Sequence, residues 1–143
     1  MKMKAGVAII AVLIVMWMTS PRTAIAGPDE ERAAVDSAGA WLTLIDGGGY
    51  AKSWDEAAPL FKASVTEEQW VKSLDTVRKP LGKLISRTTA SATYTKSLPG
   101  VPDGDYVVIK FNTDFEHKKS AVESVTPMLD KDGKWRVAGY FIK

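Results

Sequence analysis

The sequence predicts an α+β domain: three N-terminal helices packed on a curved four-stranded antiparallel sheet, forming a partly open cone. Three observations carry this. Between residues 29 and 79, apolar side chains return every three or four positions, the period of a helix with one buried face. From Leu84 onward, threonine-rich and β-branched segments alternate apolar with polar, the period of a strand. Pro-Gly and Asp-Gly turns separate those segments, and no connection is long enough to divide the chain into separate domains.

Ahead of the domain stands a leader. Lys2 and Lys4 precede an uncharged apolar run from Ala5 to Met18; Ser20-Pro21 then breaks it, and Ala24-Ile25-Ala26 supplies small residues at a cleavage spacing. This order predicts a signal peptide over residues 1–26, cut after Ala26, and one domain over residues 27–143. The protein is then exported, periplasmic or secreted, with no membrane attachment after cleavage. An uncleaved leader anchored in the inner membrane is the alternative, although the run is shorter than the ~20 residues that usually span a bilayer.

Of the 19 Lys and Arg residues, Lys2, Lys4 and Arg22 fall in the leader, so 16 remain against 17 acidic residues. The remaining basic residues are scattered, which argues against nucleic acid as a partner and against an anionic membrane surface. There is no cysteine. Disulfides, lipid anchoring at a cysteine, thiol catalysis and Cys-ligated metals are thereby excluded.

The first helix enters at Gly27–Glu31, where Asp29, Glu30 and Glu31 complement the helix dipole. Ala34, Val35, Ala38, Trp41, Leu42 and Ile45 form its stripe, and Asp46-Gly47-Gly48-Gly49 stops it. A second helix covers Tyr50–Ala58 and ends at Pro59, with Leu60-Phe61 as an apolar link. Thr66-Glu67-Glu68-Gln69 is a capping box opening a third helix. Its stripe is Trp70, Leu74 and Val77, with Arg78 and Lys79 at its C-terminus. A long strand runs from Leu84 to near Leu98. A second covers Asp105–Phe115, with Val107, Ile109, Phe111, Thr113 and Phe115 on one side. A third covers Ser120–Leu129, where Pro127 implies an edge or a bulge. Asp130–Gly133 turns the chain into a fourth strand, Lys134–Ile142.

Trp41–Asp46, Gly49–Trp54, Leu81-Gly82, Pro99–Tyr106 and Asp132–Tyr140 resemble the domain-of-unknown-function family 4019, uncharacterised bacterial exported proteins. The resemblance spans nearly all of the domain and implies an exported single domain. The element order is also similar to the nuclear-transport-factor-2-like (cystatin-like) cone. That superfold hosts enzymes, binding modules and assembly domains, so it assigns no function.

His117 is the only histidine and sits in a charged loop, without a positioned partner for base catalysis. Asp130–Gly133 lacks the later ligands of a calcium loop. Gly47–Gly49 follows a helix instead of a strand, unlike a phosphate cradle. Gln69–Ser73 lacks the final glycine of a cystatin inhibitory loop. No catalytic residue, metal or cofactor is assigned. Aromatic residues are abundant, and Tyr50, Trp54, Trp70, Tyr94 and Trp135 are the expected lining of a ligand pocket. Asp46, Asp55, Arg87 and Arg136 are the ionisable groups expected near it. The leading expectation is a non-enzymatic binding or interaction domain of the bacterial envelope. Its partner would be a small apolar or ring-bearing ligand, or an envelope protein, with homodimerisation through an exposed sheet face. The alternative is a small pocket enzyme using Asp46 or Asp55 as a carboxylate base with a tyrosine donor.

Overall fold

The computed structural model describes residues 27–143, so the leader and its expected cleavage after Ala24-Ile25-Ala26 lie outside the described residues. The helices are α1 (Pro28–Asp46), α2 (Tyr50–Asp55), α3 (Pro59–Ser64) and α4 (Glu67–Val77), then a 3₁₀ turn at Lys79–Leu81. The strands are β1 (Leu84–Thr95), β2 (Tyr106–Phe115), β3 (Lys118–Leu129) and β4 (Trp135–Ile142). They lie in sequence order, each antiparallel to the next, and the sheet is open.

Helix α1 begins where the Gly27 N–H donates to the Glu30 carboxylate at 2.8 Å. Its buried stripe is Ala34, Ala38, Trp41, Leu42 and Ile45. The two alanines let the helix axis lie close to the sheet, and α1 touches all four strands. Val107, Ile109, Phe111, Val125 and Val137 meet it from the sheet. This is the wrapped arrangement that the amphipathic stripe and the alternating strands require.

The helical region differs from the sequence-based expectation in two places. Residues 59–64 form a helix instead of a link. Pro59 occupies its first turn, where a missing N–H costs nothing and a preset φ favours helix entry. The preceding Ala58 N–H donates to the Val137 carbonyl of β4 at 2.8 Å, which pins that start. In α4 the capping box forms as expected, with Gln69 N–H donating to Thr66 Oγ1 and Thr66 N–H to Gln69 Oε1. Its stripe, however, runs Trp70–Leu74–Arg78, while Val77 is 51 % exposed. Arg78 turns inward because its head group finds polar partners there, so its stem continues the apolar row.

Two bulges set the inner face of the sheet. Thr89 pairs with Phe111 and Ser91 with Lys110, which leaves Ala90 extra in β1. Thr126 pairs with Gly139 but Pro127 pairs with Val137, which leaves Ala138 extra in β4. Each bulge reverses the alternation beyond it. Arg87 and Tyr94 therefore share the inner face, as do Val137 and Tyr140. The β4 bulge falls opposite Pro127, which lets an internal strand hold a residue with no N–H to donate.

The connector before β1 is held by the tip of the β2–β3 hairpin. Glu116 N–H donates to Lys83 O at 2.8 Å, and His117 N–H to Leu81 O at 2.9 Å. Gly82 between them has φ 77° and ψ −155°, a region that only glycine adopts freely. A Cβ there would lie 2.9 Å from Glu116 Cβ and from His117 Cδ2. Gly82→Ala is therefore expected to lower the unfolding free energy by about 1–3 kcal/mol in urea. An unchanged transition midpoint would refute this account of the connector.

Candidate functional site

The bulges bring a polar cluster into the apolar interior. Glu123, fully buried on β3, is its centre. Its Oε1 accepts from Arg87 Nε at 2.8 Å and Thr113 Oγ1 at 2.7 Å, and its Oε2 accepts from the Tyr140 hydroxyl. Arg87 uses its other face on Asp46 at the end of α1, with Nη1 2.7 Å from Oδ2 and Nη2 3.0 Å from Oδ1. Arg78, from the end of α4, adds a bond from Nη2 to Asp46 Oδ1 at 3.2 Å and one from Nη1 to Gly82 O at 2.6 Å. Its guanidinium lies 4.3 Å over the Phe115 ring, and its buried Nε has no partner.

Burial alone would lower the Arg87 pKa, yet its bonds to Asp46 and Glu123 hold it above the ordinary value. Burial, reinforced by the neighbouring Glu123 charge, pushes the Tyr140 hydroxyl up. Tyr94, at the other end of the sheet, is pushed up to about 12, chiefly by its bond to Asp105. Burial also raises Tyr50. The chemical capacity of the cluster is cohesion. Both Glu123 oxygens are engaged by donors, and Asp46 accepts from two arginines.

Beside this cluster is an aromatic one. Trp41 and Trp70 stack with ring centres 6.0 Å apart, Phe61 meets Trp70 edge-on at 4.8 Å, and Tyr140 meets Trp41 at 5.4 Å. Trp41 Nε1–H donates to Ser53 O at 2.7 Å, Trp70 Nε1–H to Ser53 Oγ at 2.9 Å, and Trp54 Nε1–H to Val65 O at 2.8 Å.

The residues singled out in the sequence are thus dispersed. Trp70 belongs to the aromatic cluster, and Trp54 packs at its margin beneath the Lys62 ammonium. Tyr94 closes the Asp105 end of the inner face. Tyr50 and Trp135 line separate surface recesses. Asp46 and Arg87 join the buried cluster, Asp55 is exposed, and Arg136 clamps the β3–β4 turn. His117 is exposed and pairs with Glu116 at 2.9 Å. Among the described residues, no three His, Asp or Glu side chains gather to hold a metal ion, and no helix is long and apolar enough to cross a membrane. Sequence reasoning missed Glu123, Thr113 and Arg78. A glutamate at the inward parity of β3, between Ala121 and Val125, was the available signal.

The recess at Trp135 is a cleft of about 400 Å³ between α1, the end of α2 and the start of β4. Trp41 and Trp135 give it apolar surface, and Ser37, Asp55, Glu56 and Arg136 give it polar surface. Trp135 is half-buried, and its indole N–H makes no hydrogen bond within the described residues, unlike those of Trp41, Trp54 and Trp70.

Fold and interior together define an α+β domain whose leading helix is tied to an open antiparallel sheet by buried arginine–carboxylate bonds. A family model described as "Protein of unknown function (DUF4019)" matches residues 37–140, and the chain belongs to that family. That span includes Asp46, Arg78, Arg87, Glu123 and Tyr140. No curated protein matches the chain.

Removing Arg87 would leave two interior carboxylates without their principal partner. Arg87→Met is expected to cost about 3–5 kcal/mol of unfolding free energy. A loss under about 1 kcal/mol, the range of exposed pairs, would show the cluster to be dispensable. Alkaline pH provides a second check. Tyr94 and Tyr140 bind their protons more tightly folded than unfolded, so their stabilisation is complete below about pH 10 and declines as pH rises. The urea midpoint is expected to fall from pH 10 toward pH 12, and Tyr94→Phe to reduce the slope; a flat profile would contradict the assignment.

Proposed function

We propose that the protein is an exported, non-enzymatic binding domain of the bacterial envelope, freed of its leader after Ala26. One contrast carries the reading. The interior acids spend their lone pairs on internal donors, whereas the cleft is lined by Trp135, whose indole N–H makes no hydrogen bond within the described residues, and by the exposed Asp55 and Glu56. A base needs a lone pair directed at substrate, and Glu123 and Asp46 direct theirs at arginine, threonine and tyrosine. Asp55 lacks the burial that tunes a catalytic carboxylate. A cleft that joins aromatic surface to exposed carboxylates is instead suited to holding a ligand.

Export is supported by the charge, apolar run and small residues of the leader. Gentle purification from the native envelope, followed by native mass spectrometry, tests export and ligand binding together. The expected species is the 27–143 polypeptide in the soluble fraction, carrying a small molecule that is released unchanged on denaturation. A leader-bearing chain held in the membrane would remove export. A released molecule that the protein had chemically altered would favour the pocket enzyme.

A further inference from the structure

We infer that the Trp135 cleft is a carbohydrate site that seats one neutral sugar ring on the indole. The inference rests on the binding-domain reading and names its ligand class.

The platform is rigid. The Trp135 carbonyl accepts from Ser37 Oγ of α1 at 2.7 Å, and across β3 the residue pairs with Leu129. On its other side, Arg136 grips the turn, with Nη1 2.8 Å from Asp130 Oδ2 and Nη2 2.8 Å from Asp132 Oδ2. Asp130 N–H further donates to Lys134 O at 2.8 Å. The backbone on either side of the indole is therefore fixed before any ligand arrives, which lowers the ordering cost of binding.

The chemistry of the walls selects the ligand. The indole π-face carries the negative side of its quadrupole, and the C–H face of a pyranose offers weakly positive, apolar hydrogens to it. The free Nε1–H can donate to a sugar oxygen, and the Asp55 carboxylate, with Glu56 where its loose 3.9 Å pairing to the exposed Lys52 leaves it open, can accept from sugar hydroxyls in charge-assisted bonds. Charge settles between neutral and ionic ligands. The two acids stand in one cleft with Lys134 and Arg136, so neither a cation nor an anion meets a field of one sign. Arg136 is already engaged with Asp130 and Asp132, which further reduces its pull on an anion. A neutral ring bearing donors and acceptors on its rim and hydrogens on its face fits every wall. The volume of about 400 Å³ lies within the usual range for small-ligand sites.

The test is a titration of nitrogen-15-labelled protein, produced from the full chain, with cellotetraose, maltotetraose and chitotetraose. The indole cross-peaks are the readout, with Trp135→Phe assigning its peak. At least one sugar is expected to move the Trp135 indole signal saturably, with smaller movement at Trp41 and Trp70. Asp55→Asn, at an exposed position, should keep the fold and weaken that sugar about tenfold or more, the worth of a hydrogen bond to a charged group. A Trp135 signal that ignores all three sugars overturns the inference, as does a Trp135 response that Asp55→Asn leaves intact, or a Trp41 response that survives Trp135→Ala. Saturable movement with tetralysine alone also overturns it, because the site would then select cations. If the molecule released from the native envelope moves Trp135 while the sugars do not, the sugar class falls and the binding-domain reading stands.

Discussion

Arg87 is the residue on which the two layers depend. Its guanidinium reaches from an outer strand under the end of α1, with Asp46 on one side and Glu123 on the other. Neither carboxylate could remain in that interior alone, because an uncompensated buried charge costs several kcal/mol. The bonds join residues 36 and 41 positions apart in sequence, so they act between elements and not within one. Apolar packing brings α1 onto the sheet but is non-directional. The arginine fork adds a preferred geometry, since a guanidinium meets a carboxylate in a fixed plane.

The backbone is shaped to make this possible. Strict alternation along β4 from Val137 would turn Gly139 and Phe141 inward and leave Tyr140 in solvent. The extra residue Ala138 exchanges them, so Tyr140 reaches Glu123 and stands beside Trp41 and Trp70, while Phe141 is 57 % exposed. Ala90 does the same for β1, letting Arg87 at one end and Tyr94 at the other share a face. Bulges near functional or structurally critical residues commonly serve to re-aim a side chain in this way.

Much of this was legible beforehand, for physical reasons that also explain the remainder. The α1 stripe from Ala34 to Ile45, the Thr66–Gln69 capping box and the inward row of β2 are local patterns, each readable within a dozen residues. Pro59 was ambiguous because proline both ends one helix and starts another. Val77 and Arg78 could not be ranked by hydrophobicity, since Arg78 turns inward only because Asp46 and the Gly82 carbonyl await it from elsewhere in the chain. The expected pocket residues are all aromatic, yet aromatic character alone does not separate Trp70, whose indole N–H is satisfied inside, from Trp135, whose is not. That distinction depends on Ser53, a small polar residue buried by tertiary packing.

If the Arg87 bridge makes α1 and the sheet one cooperative unit, native-state hydrogen exchange will show it most directly. The account predicts that the amides of Leu44, Ile45 and Asp46 exchange with the same free energy and denaturant dependence as those of Val125 and Ile109 at the sheet centre. Exchange of the α1 amides through a separate, lower-energy opening while the sheet stays protected would contradict it.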